Sequence, residues 1–361
     1  MAGAAHGGAE TAFVDMCVAL AEAGEQVEVA TRPNLLRVGQ LAKAGLTVHE
    51  LHFGGAWDFY TPLKIKKIIG RFQPHIVQTW MSRAAQKTPS WSKGDNMQRY
   101  LVVCRLGGYY KVRHFRTADY FTTITPDIRR YLIDNGVAPE KVVHINNFAE
   151  TEKAARKVRR ADMDTPDGVP VLLALGRLHE AKAFDTLLKA LKDVPGAYLW
   201  IAGEGPQRGE LEKLCAELGL ADRARFLGWR EDRAALFQAA DMCVFPSRYE
   251  PFGTVFVQAW AQKKPLIAAA ADGPRQFVRD GEDGLLAPVD DAGALAAAIR
   301  RAIAEPELAK KLVYNGYQRY LDEFTKEKTV QAYLAFYHEI LEKQGLVSAV
   351  QSSRPGEVAG S

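Results

Sequence analysis

Short apolar runs alternate with amphipathic stretches along nearly the whole of this 361-residue chain. Each run is bounded by Gly, Pro or charge, as buried parallel strands are, and the stretches between have helical periodicity. Strand, helix, strand in succession builds parallel sheets covered on both faces. Strands are predicted at 27–31, 46–51, 76–79, 101–104, 120–124 and 142–145, and again at 171–175, 197–202, 225–227, 242–245 and 266–269. Helices are predicted at 10–23, 62–72, 127–135, 184–191, 207–218, 232–239 and 293–303. The charged, apolar-poor stretch 151–170 separates the two series. This predicts an α/β fold of two domains, 1–150 and 171–324, with a long helix at 325–343 and a disordered Ser/Gly/Pro-containing tail at 344–361.

The first series has a defect. His6, Gly7 and Gly8 precede a helix, a turn that bares backbone N–H groups to a phosphate. A central strand belongs before such a turn, yet residues 1–5 read MAGAA. Either the start lies upstream or this half is compromised.

Cys17, Cys104, Cys215 and Cys243 stand apart in apolar surroundings, without metal-ligand spacing, so buried thiols in a reducing cytoplasm are expected. No apolar run is long enough to span a bilayer, and residues 1–8 lack the charged and apolar regions of a signal peptide. The charge is uneven: residues 1–150 hold 18 Lys/Arg against 13 Asp/Glu, and 60–130 hold 14 against 3. An anionic partner for the first half follows, with membrane surface, lipopolysaccharide phosphates and nucleic acid all eligible. Within it, 62–72 (PLKIKKIIGRF) reads equally as an interfacial helix on anionic lipid or an ordinary surface helix; the surrounding charge favours the membrane. Aromatics are interleaved, but no nucleic-acid-binding motif accompanies them, so nucleic acid ranks low.

Chemistry concentrates at two strand ends. One strand ends at Gly176, followed by Arg177 and Lys182; another ends at Pro246, followed by Glu250, Gly253 and an apolar helix. Arg offers phosphate a planar fork and Lys a point charge, although two surface cations flanking a helix explain the same spacing. Glu250 suits sugar hydroxyls, and the N–H groups of Phe252, Gly253 and Thr254 would open a helix toward an anion; a capping carboxylate is the rival explanation. Gly203, in AGEGP, is placed to pass beneath a nucleotide or to make a plain β–α turn. The lone Asp-x-Asp, 162–164, lies in the charged stretch, and no nucleophile elbow or complete phosphate loop is present.

Taken in order, GGAE (7–10), NNFAE (146–150), GRLHEAK (176–182), AGEGP (202–206), FLGW (226–229), FPSRYEPFG (245–253) and DGLL (283–286) resemble the retaining glycosyltransferases of family 4, most nearly those of the bacterial lipopolysaccharide core. The resemblance covers about 7–342 and is stronger in the second half. It implies the GT-B fold, two Rossmann-like domains facing across a cleft, with the terminal helix crossing back to the first. It implies a nucleotide-sugar donor, a glycan or lipid-linked acceptor, no metal and no cofactor. Arg177, Lys182 and Glu250 would then be catalytic, with Gly7, Gly8, Gly203, Phe252, Gly253, Thr254 and Gln258 around the donor. Gln258 stands where relatives carry a second glutamate, which loses the charge on the ribose diol. Arg83, Arg105 and Tyr109 are the acceptor-side candidates, in a region that lacks the usual histidine. The expected location is cytoplasmic, at the inner membrane surface. A nucleotide-sugar-binding protein without transfer activity and a nucleotide-sugar epimerase are the alternatives on this fold.

Overall fold

The computed structural model describes residues 1–4, 7–55, 57–149 and 157–347. The chain forms two compact units, one from Met1–Thr123, Arg129–Ile145 and Val330 onward, the other from Ile124–Ile128 and Asn146–Thr329.

Unit 1 carries six parallel strands in two sheets. β1 (Glu28–Thr31) pairs with β2 (Thr47–Glu50). β3 (Ile76–Trp80), β4 (Leu101–Leu106), β5 (Tyr120–Thr123) and β6 (Val142–His144) pair in that order. Among the described residues no strand joins the sheets. Met1 lies beside β1: its ammonium donates to the Ala30 carbonyl at 2.5 Å, and Arg32 N donates to the Met1 carbonyl at 3.3 Å. Burial pulls that ammonium down to about 5. Every β4 residue is buried, as a strand covered on both faces must be. From Val330 the terminal helix Lys326–Lys343 belongs to this unit. Its Phe336 ring meets Tyr120 edge-on at 6.2 Å, and the Tyr333 hydroxyl lies 3.5 Å from Thr122 Oγ1.

Unit 2 holds one parallel sheet. Its strands are β7 (Val171–Leu175), β8 (Tyr198–Ala202), β9 (Ala224–Gly228), β10 (Met242–Phe245), β11 (Leu266–Ala269) and β12 (Leu285–Ala287), in the spatial order β12-β11-β10-β7-β8-β9. The chain starts in the middle, winds out to β9, returns to β10 and winds out the other way. Between β7 and β10 the winding reverses, the position at which open α/β sheets bind ligands at their strand ends. Leu172, Leu187, Leu199, Val244, Ile267 and Ile299 fill the core. Beneath the β10 loop, Phe252, Phe256, Trp260, Phe277 and Phe324 pack ring on ring, neighbouring centroids 5.0–6.3 Å apart, and Trp260 Nε1 donates to the Asp283 carbonyl at 2.8 Å.

Three expectations need correction. The stretch 151–170 is not a spacer where it is described: Arg160 donates to the carbonyls of Ala239 and Val169 and to Asp241, at 2.8–3.0 Å, and Trp200 Nε1 donates to Thr165 Oγ1 at 2.9 Å. Residues 157–170 are built into unit 2, while 150–156 and the tail from 348 lie outside the described residues. Strand β12 and the helix Pro306–Arg319 were not anticipated. The helix predicted at 62–72 runs from Tyr60 to Phe72 and buries Ile65 and Ile69 in unit 1, so its isoleucine stripe is core.

Candidate functional site

The two chemistry-bearing loops leave β7 and β10, the strands flanking the reversal in unit 2. Backbone bonds stitch them to each other and to the loops beside them. Gly176 N donates to the Ala202 carbonyl (3.1 Å), Leu178 N to that of Glu204 (3.0 Å), and Gln207 N to that of Leu178 (3.1 Å). Arg248 N and Tyr249 N both donate to the Ala181 carbonyl, at 2.9 and 3.2 Å, and Gly273 N donates to that of Glu250 at 2.7 Å. The glycines allow this proximity. A Cβ on Gly203 would lie 1.8 Å from the Gly176 carbonyl oxygen, and one on Gly273 2.0 Å from that of Phe252. Gly203 is therefore a packing requirement between two backbones.

Lys182 and Glu250 form an ion pair, with side chains only 24% and 16% exposed. The Lys182 ammonium also lies 5.7 Å from the Phe245 ring centroid, a further favourable contact. Arg177 is exposed at the head of the same loop and has no ion-pair partner among the described residues. Gly253 adopts φ +96° and caps the helix Thr254–Ala261. A side chain there would be strained and would strike the Phe245 ring at 2.7 Å. The N–H groups of Phe252, Gly253 and Thr254 donate to no protein acceptor among the described residues, as a helix start dictates. The Phe252 ring itself is buried in the aromatic layer. Gln258 lies one turn along this helix, half-buried. Arg177, Lys182, Glu250, Gly253 and the open N–H groups thus share one strand-end edge, where two cations and a helix start can hold an anion beside a carboxylate.

Arg248 went unremarked in the sequence. Its guanidinium donates to the Glu180 carbonyl (2.9 Å), Asp185 Oδ2 (2.7 Å) and Thr186 Oγ1 (3.2 Å), and pairs with Asp290. It fastens the Lys182 loop to the Glu250 loop. Burial pushes the Asp185 carboxyl up, but the hydrogen bond and charge of Arg248 outweigh it and hold the group below the usual range. The available signal was its place between a strand end and Glu250.

In unit 1, Gly7 caps the helix Gly8–Glu22. The Glu10 carboxylate folds back over this turn: it accepts from Ala4 N at 2.7 Å, and a Cβ on Gly7 would meet it at 2.4 Å. The turn expected to bare N–H groups to phosphate already faces its own carboxylate. Arg105 also departs from expectation. It is 2% exposed, its guanidinium 3.9 Å from the Trp80 ring centroid, and it hydrogen-bonds Tyr333. Buried in this way, it does not present itself to an acceptor. Arg83 is exposed, and Tyr109 is partly exposed against the Tyr131 ring. Asp162 of the Asp-x-Asp is bonded to Arg159. All four cysteines are buried and free; burial pushes Cys17 and Cys104 to about 12, too high for ready nucleophiles.

Known proteins match this arrangement at several levels. Residues 155–319 match the model of the family "Glycosyl transferases group 1". The chain is 36% identical over 331 residues to the lipopolysaccharide core biosynthesis glycosyltransferase LpsE of Rhizobium meliloti, covering 91% of this chain and 95% of that one. It is 32% identical over 335 residues to LpsD of the same organism, with 92% and 95% covered. Among solved structures, Anabaena Alr3699/HepE in complex with UDP and glucose superposes with a TM-score of 0.77 at 20% identity, over 93% of this chain and 97% of that one. On its fold, its ordered motifs and these matches, the chain belongs to the group 1 glycosyltransferases and has the GT-B fold.

Proposed function

We propose that this glycosyltransferase moves a sugar from a nucleoside-diphosphate carrier to a glycan or glycolipid of the lipopolysaccharide core, with retention of configuration and without a metal or cofactor. The observation that carries the reading is the Lys182–Glu250 pair at the β7/β10 reversal, flanked by Arg177 and the open N–H groups of 252–254. Arg177, Lys182 and that helix start hold the diphosphate and stabilise its charge as it departs. Glu250 and Gly253 hold the sugar, and Gln258 the ribose. The departing phosphate oxygen takes the acceptor proton on the face it leaves, so no second carboxylate is required. The relatives LpsE and LpsD, named for lipopolysaccharide core biosynthesis, support the acceptor class, and the UDP bound to HepE supports the donor class. No helix of the described residues is long and apolar enough to cross a membrane. A lipid-linked acceptor supports action at the inner face of the cytoplasmic membrane.

The test is release of nucleoside diphosphate from a panel of UDP-, GDP- and ADP-sugars, with and without a lipid-linked core acceptor. Acceptor-dependent release from one donor, with an axial or equatorial product linkage matching that donor, is the expected result. Bound donor with no release would make the chain a nucleotide-sugar-binding protein. Altered sugar without transfer would make it an epimerase.

A further inference from the structure

Unit 1 exposes large apolar side chains in one place above all. Leu35 is 96% exposed, Trp57 88% and Leu63 68%, and Leu36, Phe59 and Tyr60 are each more than half exposed. They belong to two neighbouring turns. Leu35 and Leu36 open the helix that follows β1, and Trp57 to Leu63 follow β2. The strands are paired, and Arg32 joins the turns by donating to the carbonyls of His52 (3.0 Å) and Phe53 (2.5 Å).

These side chains project because the loop beneath them is fixed. Asp58 accepts from Gly54 N (2.7 Å), Thr61 N (2.9 Å) and Thr61 Oγ1 (2.5 Å). The buried Lys87 ammonium donates to the carbonyls of Gly55 and Asp58, at 2.8 and 2.7 Å. Phe53 is buried, so the loop has already given its apolar share to the core. Trp57, Phe59 and Leu63 are left on a rigid base facing solvent.

The charge around them is cationic. Lys64 lies 5.0 Å from the Tyr60 ring centroid, its stem along the aromatic surface, and Lys67 is exposed. Neither is in an ion pair among the described residues. Of the nearby carboxylates, Asp58 is spent inside the loop, Asp95 pairs with Lys66, and Glu50 alone is exposed. Protruding Trp, Phe, Tyr and Leu with lysines that bury their stems and keep their heads in water is the composition of a surface seated at a lipid headgroup boundary. Anionic headgroups complement the lysines. Because the turns follow the carboxyl ends of β1 and β2, the same face is the edge where α/β units bind ligands.

We infer that Leu35, Leu36, Trp57, Phe59, Tyr60 and Leu63, ringed by Lys64 and Lys67, form the docking face of this protein on an anionic bilayer. It relocates membrane contact from the isoleucine stripe of 62–72, which is core, to the loop and first turn before it. It rests on the membrane placement proposed above. Vesicle binding is read without donor or acceptor, so its failure and the failure of the transferase reading are separable.

The experiment is cosedimentation of the full chain with vesicles of equimolar phosphatidylglycerol and phosphatidylcholine, and of phosphatidylcholine alone. Two variants are compared: Trp57→Ser with Phe59→Ser, and Lys64→Glu with Lys67→Glu. Thermal unfolding confirms that each folds as the parent does, which their exposure predicts. The expected result is salt-sensitive partition onto the anionic vesicles that falls about tenfold or more in each variant. No binding by the parent, equal binding to neutral vesicles, or parental binding by either variant would overturn the inference. So would vesicle-free self-association in sedimentation velocity that the aromatic variant abolishes, since the face would then belong to a second copy.

Discussion

Substituting Gly203 by alanine tests whether the site is built by backbone contact. Gly203 lies outside the left-handed region, so conformational freedom is not the issue. The new Cβ would lie 1.8 Å from the Gly176 oxygen, a backbone atom that cannot rotate away. Reaching ordinary contact means parting the β7 and β8 loops by roughly 1.5 Å, a misplacement of the size that costs about a hundredfold in rate. The movement strains the bonds from Gly176 N to Ala202 and from Leu178 N to Glu204. Each is worth about 1 kcal/mol, and overpacking adds about 1–3 kcal/mol. Together the loss is roughly 3–5 kcal/mol, or roughly 10 °C in Tm. Gly209→Ala is the control: it is exposed within the helix Arg208–Glu217, with nothing near its Cβ, and alanine there stabilises by about 0.5–1 kcal/mol. The assay pairs thermal melts with kcat/KM for donor turnover. Parental Tm and kcat/KM in Gly203→Ala would refute the argument.

Further tests follow from the same geometry. Lys182→Ala removes a cation from the proposed diphosphate position and leaves Glu250 without its partner; turnover should fall about a hundredfold, and a parental rate would remove Lys182 from catalysis. Gln258→Glu puts a charged acceptor at the proposed ribose contact and should tighten nucleoside-diphosphate binding roughly fivefold by calorimetry; weaker binding would place the ribose elsewhere. Asp283, fully buried, accepts from Arg279 N at 2.7 Å and pairs with Arg279 and Arg319 at 2.6 and 3.2 Å. Asp283→Ala should cost about 3–5 kcal/mol in urea unfolding, and a loss near zero would show the cluster to be replaceable. Hydrogen bonds from the Thr61 side chain and N–H, aided by Gly54 N and Lys87 against burial, pull the Asp58 carboxyl to about 2. The lowered group stabilises the fold above its unfolded value and loses that effect as pH falls through the folded one. The Tm gap between the parent and Asp58→Asn should therefore hold from neutral pH to about 4 and close toward about 2; a gap that widens on acidification contradicts the assignment.

The parts of the fold visible in the sequence are those where one-dimensional pattern and burial coincide. β7 and β10 are buried along their whole length and are followed at once by Gly176 and Pro246, so an apolar run and a breaker mark them. β12 has three residues, too few for periodicity to register. The helix Pro306–Arg319 packs Leu312 and Gly316 inward, and Gly316 is needed because a Cβ would meet the Trp260 indole at 2.3 Å. A contact made by the absence of a side chain leaves no apolar signal. The same limit governs the site. Lys182 and Glu250 were legible because each follows a strand end, whereas Arg248 gains its role from Asp185 and Asp290, brought to it only by folding. Arg105 was an acceptor-side candidate because it opens the strand-end stretch 105–110. It stands on a strand with no wet face, and Trp80 and Tyr333 replace solvent around it.

The route of the chain between the units has a bearing on how the protein is made. Unit 2 is nearly continuous, 146–329 with one short earlier piece, whereas unit 1 takes its terminal helix from Val330 onward. On a ribosome, residues 1–145 emerge long before that helix, and domains generally fold as units in order of synthesis. The first unit to appear is thus the last to be finished. Until Tyr333 and Phe336 arrive, the Arg105 guanidinium and the Tyr120 ring lack their covering layer. Early release of the chain would strand an apolar surface with a charge inside it, a substrate for chaperones and proteases, while the second unit stands complete.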